Sequence, residues 1–158
     1  MAHGTRPYHG GPSHDGRRCG MAQTDIELLR NLYDRYAVGD VAPLFEHLAP
    51  DVEWISCGQS PALAAFSGNF HGLDGVQRYF QGLAQEWTIT KHEMRDIARD
   101  GDHVVTRNLV EAVSKVTGKP VAVTTEHRWV LQDGRIRRFE ERCDDEAALE
   151  AACRPSEP

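Results

Sequence analysis

The chain has 158 residues, a length that fits one domain with a hydrophobic core and no need of a metal or disulfide. Lys and Arg total 18 against 24 for Asp and Glu, and the net charge of −6 argues against a protein that tracks nucleic-acid phosphates. No apolar run approaches the roughly 20 residues of a membrane helix, and the four cysteines form no C-x-x-C pair. We therefore expect a cytoplasmic protein with free thiols.

Residues 1–22 differ in composition from the rest of the chain. They contain no Leu, Ile, Val or Phe and are rich in Gly, His and Arg. Such a segment buries too little apolar surface to offset the entropy of ordering it, so we predict a disordered extension. We place a single folded domain at residues 23–155. Its first helix begins at Thr24, which forms a capping box with Glu27.

Two helices are predicted next. Apolar residues recur at helical spacing from Ile26 to Tyr36, and Gly39 supplies a left-handed stop. Asp40 then caps a short second helix that carries Phe45 on its apolar side. Pro50 ends this second helix, because proline lacks the amide that a continuing helix needs.

A strand and a third helix follow. Residues 51–57 alternate as a strand does, which turns Val52, Trp54 and Ser56 to one side. A loop rich in Gly, Ser and Pro comes next, and Asp74 opens a third helix with a strong apolar face.

From Thr88 the apolar period changes from 3.6 to 2. Four strands follow at about 88–99, 102–116, 119–132 and 135–143. Asp-Gly pairs separate the first two and the last two strands, and this pair between alternating runs is a strong hairpin signal. The order of elements predicts an α+β domain. Three N-terminal helices pack on one face of a strongly bent antiparallel sheet, and a short helix capped by Asp144 closes the chain.

The register of the hairpins decides which side chains face the interior. His127 shares the apolar side of its strand with Trp129 and Leu131. A two-residue turn at Gly118-Lys119 sets Val110 opposite His127 and Asn108 opposite Trp129. We therefore predict that the His127 imidazole enters the interior, with Trp129 and Asn108 near it.

The last strand allows two registers. Strict alternation turns Arg138 and Glu140 to the side of His127, whereas a bulge near Arg137-Arg138 turns Phe139, Glu141 and Cys143 inward. We favour the bulge, because burying Phe139 costs less than burying Arg138. In either register a carboxylate, Glu140 or Glu141, comes near the His127 imidazole.

Three segments carry a resemblance to a known family. They are YAVGDVAPLFEHLAPDVEW, FHGLDGVQRYF and EHRWVLQDGRIRRFEE. They resemble the cone-shaped fold of nuclear transport factor 2, and within it the ketosteroid-isomerase-like and SnoaL-like polyketide-cyclase branch. The resemblance spans about Asp25 to Ala152. Its motifs mark the fold and not one reaction, since the fold hosts isomerases, cyclases, dehydratases, epoxide hydrolases and proteins without catalysis.

The catalytic residues of the isomerase do not carry over. By this resemblance the general-base position falls on Ser56, the oxyanion-hole Tyr position on Leu32 and the protonated-Asp position on His127. A serine hydroxyl cannot take up a proton unaided, so steroid double-bond migration by that mechanism is not expected. The Asp-Arg-Asp constellation of the family's epoxide hydrolases is not found either.

The remaining chemistry centres on His127. A histidine in an apolar interior with a carboxylate beside it can act as a general base, and we assign catalysis to His127 with Glu141. Asn108 or Tyr36 would donate a hydrogen bond to the resulting enolate. The expected reaction is isomerisation, cyclisation or dehydration of an apolar carbonyl compound, with no cofactor and no metal ion.

Aromatic and polar residues around this position are predicted to bind the ligand. They are Tyr36, Phe45, Trp54, Ser56, Asn108, Trp129 and Phe139. Ordinary core packing of the same side chains is the alternative, and the protein would then be a non-catalytic ligand-binding or dimerisation module. The expected partner is a small apolar molecule, not nucleic acid or a membrane. The resemblance further implies a homodimer formed through the outer, charged side of the sheet.

Overall fold

The computed structural model describes residues 15–56 and 61–156, which form four α-helices and six strands. Their bounds are α1 Asp15–Ala37, α2 Ala42–His47, β1 Leu48–Ser56, β2 Gly68–His71, α3 Gly72–Glu86, β3 Trp87–Asp100, β4 His103–Ser114, β5 Pro120–Gln132, β6 Arg135–Cys143 and α4 Glu146–Cys153. None of the helices in the described part of the chain combines the length and the apolar composition of a membrane span.

The six strands form one sheet in the order β2-β1-β6-β5-β4-β3. The predicted α+β architecture is confirmed, and the meander from β3 to β6 is antiparallel throughout. The sheet as a whole is mixed, because β1 runs parallel to β6. Turn residues predict pairing only between strands that are consecutive in the chain, so the pairing of β1 with β6 could not be predicted from the sequence. The short edge strand β2 was not predicted.

Helix α1 begins earlier than the sequence predicts. Its backbone is helical from Asp15, so residues 15–22 extend the helix where disorder was expected, and Thr24 and Glu27 lie inside the helix and not at its N-terminus. The rest of the predicted extension, residues 1–14, lies outside the described residues. A helix satisfies its backbone hydrogen bonds locally, so it can continue beyond the turns that bury an apolar face.

The C-terminal end of α1 follows the prediction. The helix ends at Ala37, and Gly39 has a φ of +83°, the left-handed conformation that glycine adopts at lowest cost. Asp40 Oδ1 accepts a hydrogen bond of 3.2 Å from the Ala42 amide, which helps to start α2. The predicted end at Pro50 is wrong, because α2 already ends at His47 and Pro50 lies within β1.

Helix α3 begins at Gly72, before the predicted Asp74, and lies against the loop that precedes β2. A Cβ built on Gly82 would be 1.8 Å from the Ala65 carbonyl oxygen, so this crossing requires glycine. The tight approach brings the apolar face of α3 onto the sheet, where Val76 and Tyr79 are buried.

The β4–β5 register differs from the predicted one by four residues. Thr106, not Val110, lies opposite His127, and Thr125 lies opposite Asn108. The physical reason is the turn, since β4 already ends at Ser114 and residues 115–119 connect it to β5. A shift by an even number of residues keeps every side chain on its face. His127 is therefore buried as predicted, with 5% of its surface exposed.

The β5–β6 pair contains the favoured bulge. Leu131 pairs with Ile136 and Val130 with Arg138, so Arg137 is the extra residue on β6. The bulge sets Phe139 opposite Trp129, and Phe139 is buried. The prediction of a bulge that turns this side of β6 inward is confirmed.

Candidate active site

A cavity of about 120 Å³ lies between α1, α3 and the inner face of the sheet. Its walls are mainly aromatic and aliphatic. The polar or ionisable lining residues in the described part of the chain, besides the indoles Trp54, Trp87 and Trp129, are Tyr33, Tyr36, Asp40, Tyr79, His92, Thr125, His127 and Glu141. No lysine or arginine lines it among the described residues. A cavity of this composition suits an apolar ligand with a few polar groups.

Glu141 and His127 form the ionisable pair on the wall of this cavity. The two residues are direct neighbours across the β5–β6 pair, and Glu141 Oε2 lies 2.6 Å from His127 Nε2. Their side chains are 13% and 7% exposed, so bulk solvent screens this contact little. The Ser56 hydroxyl donates a hydrogen bond of 3.1 Å to Glu141 Oε1. Both carboxylate oxygens are therefore held by protein groups.

Tyr33 engages the other nitrogen of His127. Its hydroxyl oxygen lies 2.6 Å from His127 Nδ1 and 2.6 Å from Thr106 Oγ1, and it accepts a hydrogen bond of 2.9 Å from Trp129 Nε1. Burial, reinforced by the Glu141 charge, raises the pKa of Tyr33 above its usual range in spite of the hydrogen bonds. Tyr33 therefore keeps its proton, and helix α1 is tied to the centre of the sheet through one hydroxyl group.

Two placements of the hydrogens satisfy this network. In one, Thr106 donates to Tyr33, Tyr33 donates to a neutral His127, and His127 Nε2 donates to Glu141. In the other, His127 is protonated and donates from both nitrogens, and Tyr33 donates to Thr106. The same heavy-atom positions are compatible with both placements of the hydrogens.

Asn108 lies behind this network and does not line the cavity. It is fully buried, and its amide nitrogen donates to Thr106 Oγ1 at 3.1 Å and to Thr125 Oγ1 at 3.5 Å. Its Oδ1 atom has no hydrogen-bond partner. From this position Asn108 can orient the two threonines, but it does not reach a ligand in the cavity.

The structure brings most of the predicted site residues together. Tyr36, Trp54, Trp129 and Phe139 line the cavity with His127 and Glu141. Phe45 packs behind the wall, with its ring centroid 5.9 Å from that of Phe80, and Ser56 contacts Glu141 rather than the cavity. The alternative carboxylate, Glu140, turns to the outer side, where its Oε1 atom accepts from Arg142 at 3.4 Å.

His92, which sequence reasoning missed, lies on β3 and faces the same cavity. Its ring stacks on Tyr33 at a centroid distance of 5.8 Å and meets Tyr36 edge-on at 5.1 Å. Burial lowers the pKa of His92 to about 4, helped by the nearby His127 and opposed by Glu141. Burial and Glu141 raise the pKa of Tyr36 to about 12. Near neutral pH both side chains are therefore uncharged.

The comparisons with known proteins agree with this architecture. A model of the SnoaL-like domain matches residues 29–139, which is most of the chain. No match was found among curated proteins.

Solved structures share the fold at low sequence identity. TerC, co-crystallised with polyporic acid, is 21% identical with a TM-score of 0.71, and the alignment covers 82% of this chain and 97% of TerC. A nuclear transport factor 2-like protein from Burkholderia thailandensis is 23% identical with a TM-score of 0.72, covering 83% and 98%. A candidate SnoaL-like polyketide cyclase from Mesorhizobium loti is 19% identical with a TM-score of 0.60, covering 74% and 95%.

Proposed function

The chain belongs to the SnoaL-like family, and on this premise we propose that it is an enzyme acting on an apolar, carbonyl-bearing small molecule. The molecule binds in the aromatic cavity, and a proton is moved from one of its atoms to another without a cofactor. The observation that carries this proposal is the Glu141 carboxylate, which lines the cavity and is held in place by His127 and Ser56.

Glu141 is assigned as the proton acceptor. The C–H bond beside the ligand carbonyl breaks, its proton goes to the carboxylate, and its electron pair forms the enolate, whose charge rests on the ligand oxygen. Return of the proton to another carbon isomerises the ligand. The same enolate can instead close a ring or expel a β-hydroxyl group as water, so this step is common to the three expected reactions.

His127 is assigned the role of positioning this carboxylate. The sequence hypothesis made His127 the base, but both of its ring nitrogens are engaged, Nδ1 by Tyr33 and Nε2 by Glu141. A base needs a lone pair within reach of the ligand proton. Each oxygen of the Glu141 carboxylate has two lone pairs. An oxygen that accepts one hydrogen bond from a protein group therefore keeps a lone pair that can accept the ligand proton.

Tyr36 is assigned as the donor to the enolate oxygen. Its side chain lines the cavity, and its raised pKa, about 12, keeps the hydroxyl protonated. The alternative donor, Asn108, lies behind the cavity wall. One well-placed donor of this kind is worth roughly 3 kcal/mol of transition-state stabilisation.

The walls support a flat ligand. Trp54 and Phe139 stack with ring centroids 3.9 Å apart, and Trp129 meets Phe139 edge-on at 4.6 Å. These rings present a rigid apolar surface at low entropic cost. The co-crystallisation of TerC with polyporic acid supports the choice of a cyclic ligand for a protein of this fold.

The proposal is tested by exchange of carbon-bound hydrogen for deuterium. The ketone 1-tetralone is incubated with the protein in heavy water, and deuterium uptake beside the carbonyl is followed by proton NMR. The wild-type protein should accelerate the exchange, and Glu141→Gln should lower the accelerated rate by at least about 100-fold. Glu140→Gln is the matched control on the outer face of the same strand, and its rate should equal that of the wild type.

A second function, ligand binding without reaction, is favoured by the engagement of both His127 nitrogens. Under this function 1-tetralone quenches the tryptophan fluorescence of the protein, yet deuterium uptake stays at the buffer rate. Uptake that is accelerated equally by the wild type and by Glu141→Gln would instead overturn the assignment of Glu141.

We also propose that the protein is a cytoplasmic homodimer whose contact surface is the outer face of the sheet. On that face Arg107 pairs in register with Glu126, and Arg128 bonds both Glu126 and Asp100. A surface of mixed charge can complement its own copy across a two-fold axis. Light scattering coupled to size-exclusion chromatography tests this, and Arg107→Glu should shift the equilibrium to the monomer.

A further inference from the structure

We propose that His92 is a ligand-contacting residue that accepts a hydrogen bond from a hydroxyl group of the ligand. The cavity then selects hydroxylated carbonyl compounds over equally large compounds without the hydroxyl. This inference rests on the proposed function, since it assigns a substrate class to the same cavity.

The position of His92 depends on the backbone of β3. This strand pairs with β4 through two bulges, between Ile89 and Lys91 and between Met94 and Asp96. Between the bulges His92 lies opposite Val110, which also lines the cavity. The residues before and after His92 in the chain are exposed on the other side of the strand.

The surroundings of the ring hold it in one orientation. Tyr33 stacks on one of its faces at an interplanar angle of 23°, and Tyr36 meets the ring at 89°. The His127 ring lies 6.0 Å away, measured between centroids. His92 therefore lies beside both the Tyr33–His127–Glu141 network and the assigned enolate donor, Tyr36.

The neutral His92 ring can accept a hydrogen bond. A neutral imidazole carries a hydrogen on one ring nitrogen and a lone pair without a hydrogen on the other. His92 thus presents an acceptor, whereas both nitrogens of His127 are taken by Tyr33 and Glu141.

The charges of the cavity wall determine which ligand group can donate a hydrogen bond to His92. Asp40 and Glu141 are the acidic residues of the wall, and no lysine or arginine lines the cavity in the part of the chain that the structure describes. A ligand carboxylate or phosphate would meet these charges without a counterion, and neither carries a hydrogen to donate when ionised. A neutral hydroxyl group can donate to His92 and adds no charge to a buried site.

The low pKa of His92 supports this role, because it keeps the ring neutral over the whole range near pH 7. The charged and titratable groups that face the ring are Glu141 from β6, His127 from β5, Tyr33 and Tyr36 from α1, and Asp40 at the cavity wall. Since the ring does not become a cation there, its lone pair stays available to the ligand.

Matched ligand pairs test the inference. The probes are 6-hydroxy- and 7-hydroxy-1-tetralone, each compared with the methyl compound of the same shape, and dissociation constants are measured by titration calorimetry. The wild-type protein should bind at least one hydroxyl compound about tenfold more tightly than its methyl partner. His92→Phe keeps an aromatic ring and removes the lone pair, so the preference should disappear while the methyl compound still binds.

Two further variants separate the role of the lone pair from an effect on folding. His92→Gln keeps an acceptor and should restore part of the preference, and it decides the question if His92→Phe does not fold. Glu93→Gln, the exposed neighbour on β3, should keep the full preference. Nitrogen NMR of labelled histidines provides a direct readout, because the unprotonated His92 nitrogen should shift on adding the hydroxyl compound and not on adding the methyl compound.

The outcomes distinguish this inference from the proposed function. Equal affinities within each pair for the wild-type protein, or a preference that persists in His92→Phe, would overturn the role of His92 and leave the cavity as a binding site. Failure of all four ketones to bind would overturn the proposed function, and the substrate class with it.

Discussion

Tyr33 on α1 and Trp129 on β5 are joined by an indole-to-hydroxyl hydrogen bond of 2.9 Å, although they are 96 positions apart in the chain. The same hydroxyl also contacts Thr106 and His127. One buried atom therefore connects the first helix to two central strands of the sheet. Removing any one of these four hydrogen-bonded side chains leaves polar atoms without partners in the interior. The effects on stability and on the proposed reaction can be measured separately.

Tyr33→Phe is expected to destabilise the protein by about 2 kcal/mol. The change removes the acceptor of Trp129 and a partner of Thr106 and His127, and buried polar groups that lose their partners carry the full cost of desolvation. Urea unfolding followed by circular dichroism measures this loss. An unchanged midpoint would show that the three partners are satisfied in another way.

Tyr36→Phe is expected to separate the two tyrosines by function. The cavity-lining hydroxyl of Tyr36 is assigned to the enolate, so its removal should lower 1-tetralone exchange by about 100-fold. The free energy of unfolding should change by less than about 0.5 kcal/mol. A large loss of stability with full exchange activity would contradict this assignment.

His127→Ala is expected to destabilise the protein by roughly 3 kcal/mol, because the Glu141 carboxylate and the Tyr33 hydroxyl both lose a buried partner. His71→Ala serves as the control, because His71 is exposed and makes no side-chain cap to α3. Its effect should stay within about 0.5 kcal/mol. Equal effects of the two changes in urea unfolding would argue against a buried, paired His127.

The stability of the protein should fall as the pH is lowered from about 6.5 to about 4. The pKa of His92 is depressed to about 4 in the folded state, so the unfolded chain binds a proton in this window that the folded chain does not. One pKa unit corresponds to about 1.4 kcal/mol, which sets the contribution of His92 at no more than about 3.5 kcal/mol.

His92→Gln removes this titration and isolates it from other groups. The free energy of unfolding of the variant should vary less with pH between about 6.5 and about 4 than that of the wild type. Urea midpoints at several pH values measure the difference. Parallel pH profiles for the two proteins would mean that the ring titrates alike in the folded and unfolded states.

Gly82→Ala is expected to destabilise the protein by about 2–3 kcal/mol. The new methyl group would overlap the Ala65 carbonyl oxygen at 1.8 Å, and α3 would have to move away from the loop. Thermal unfolding measures the effect, and Gln81→Ala on the exposed side of α3 is the control. A melting temperature as high as that of the control would show that the loop gives way at no cost.

Local patterns in the sequence were sufficient for most of the architecture. Alternation and Asp-Gly turns placed β5 and β6 within about one residue of their bounds, and the cost of burying Arg138 selected the correct bulge on β6. The inward orientation of His127 followed from the same alternation. This prediction was correct although the predicted β4–β5 turn was wrong, because the register shifted by four residues and an even shift keeps each side chain on its face.

The partners of His127 required the tertiary structure. Tyr33 lies within the run from Ile26 to Tyr36 that predicts α1, and helical spacing indicates which face of the helix is buried but not which strand that face contacts. In a regular antiparallel pair without bulges, the pairing of Asp100 with His103 would place His92 opposite Glu111, and its side chain would then point to the outer face. Only the extra residue between Met94 and Asp96 turns His92 inward.

By itself the sequence determined the α+β class, the order of the elements other than β2, and the inner face of β5, because backbone periodicity and turn chemistry act between near neighbours. Only the tertiary structure decided which buried polar groups meet. The direction of β1 against β6, the bulges of β3 and the contact of α1 with the sheet depend on packing between distant segments. No local signal reports the geometry of that packing.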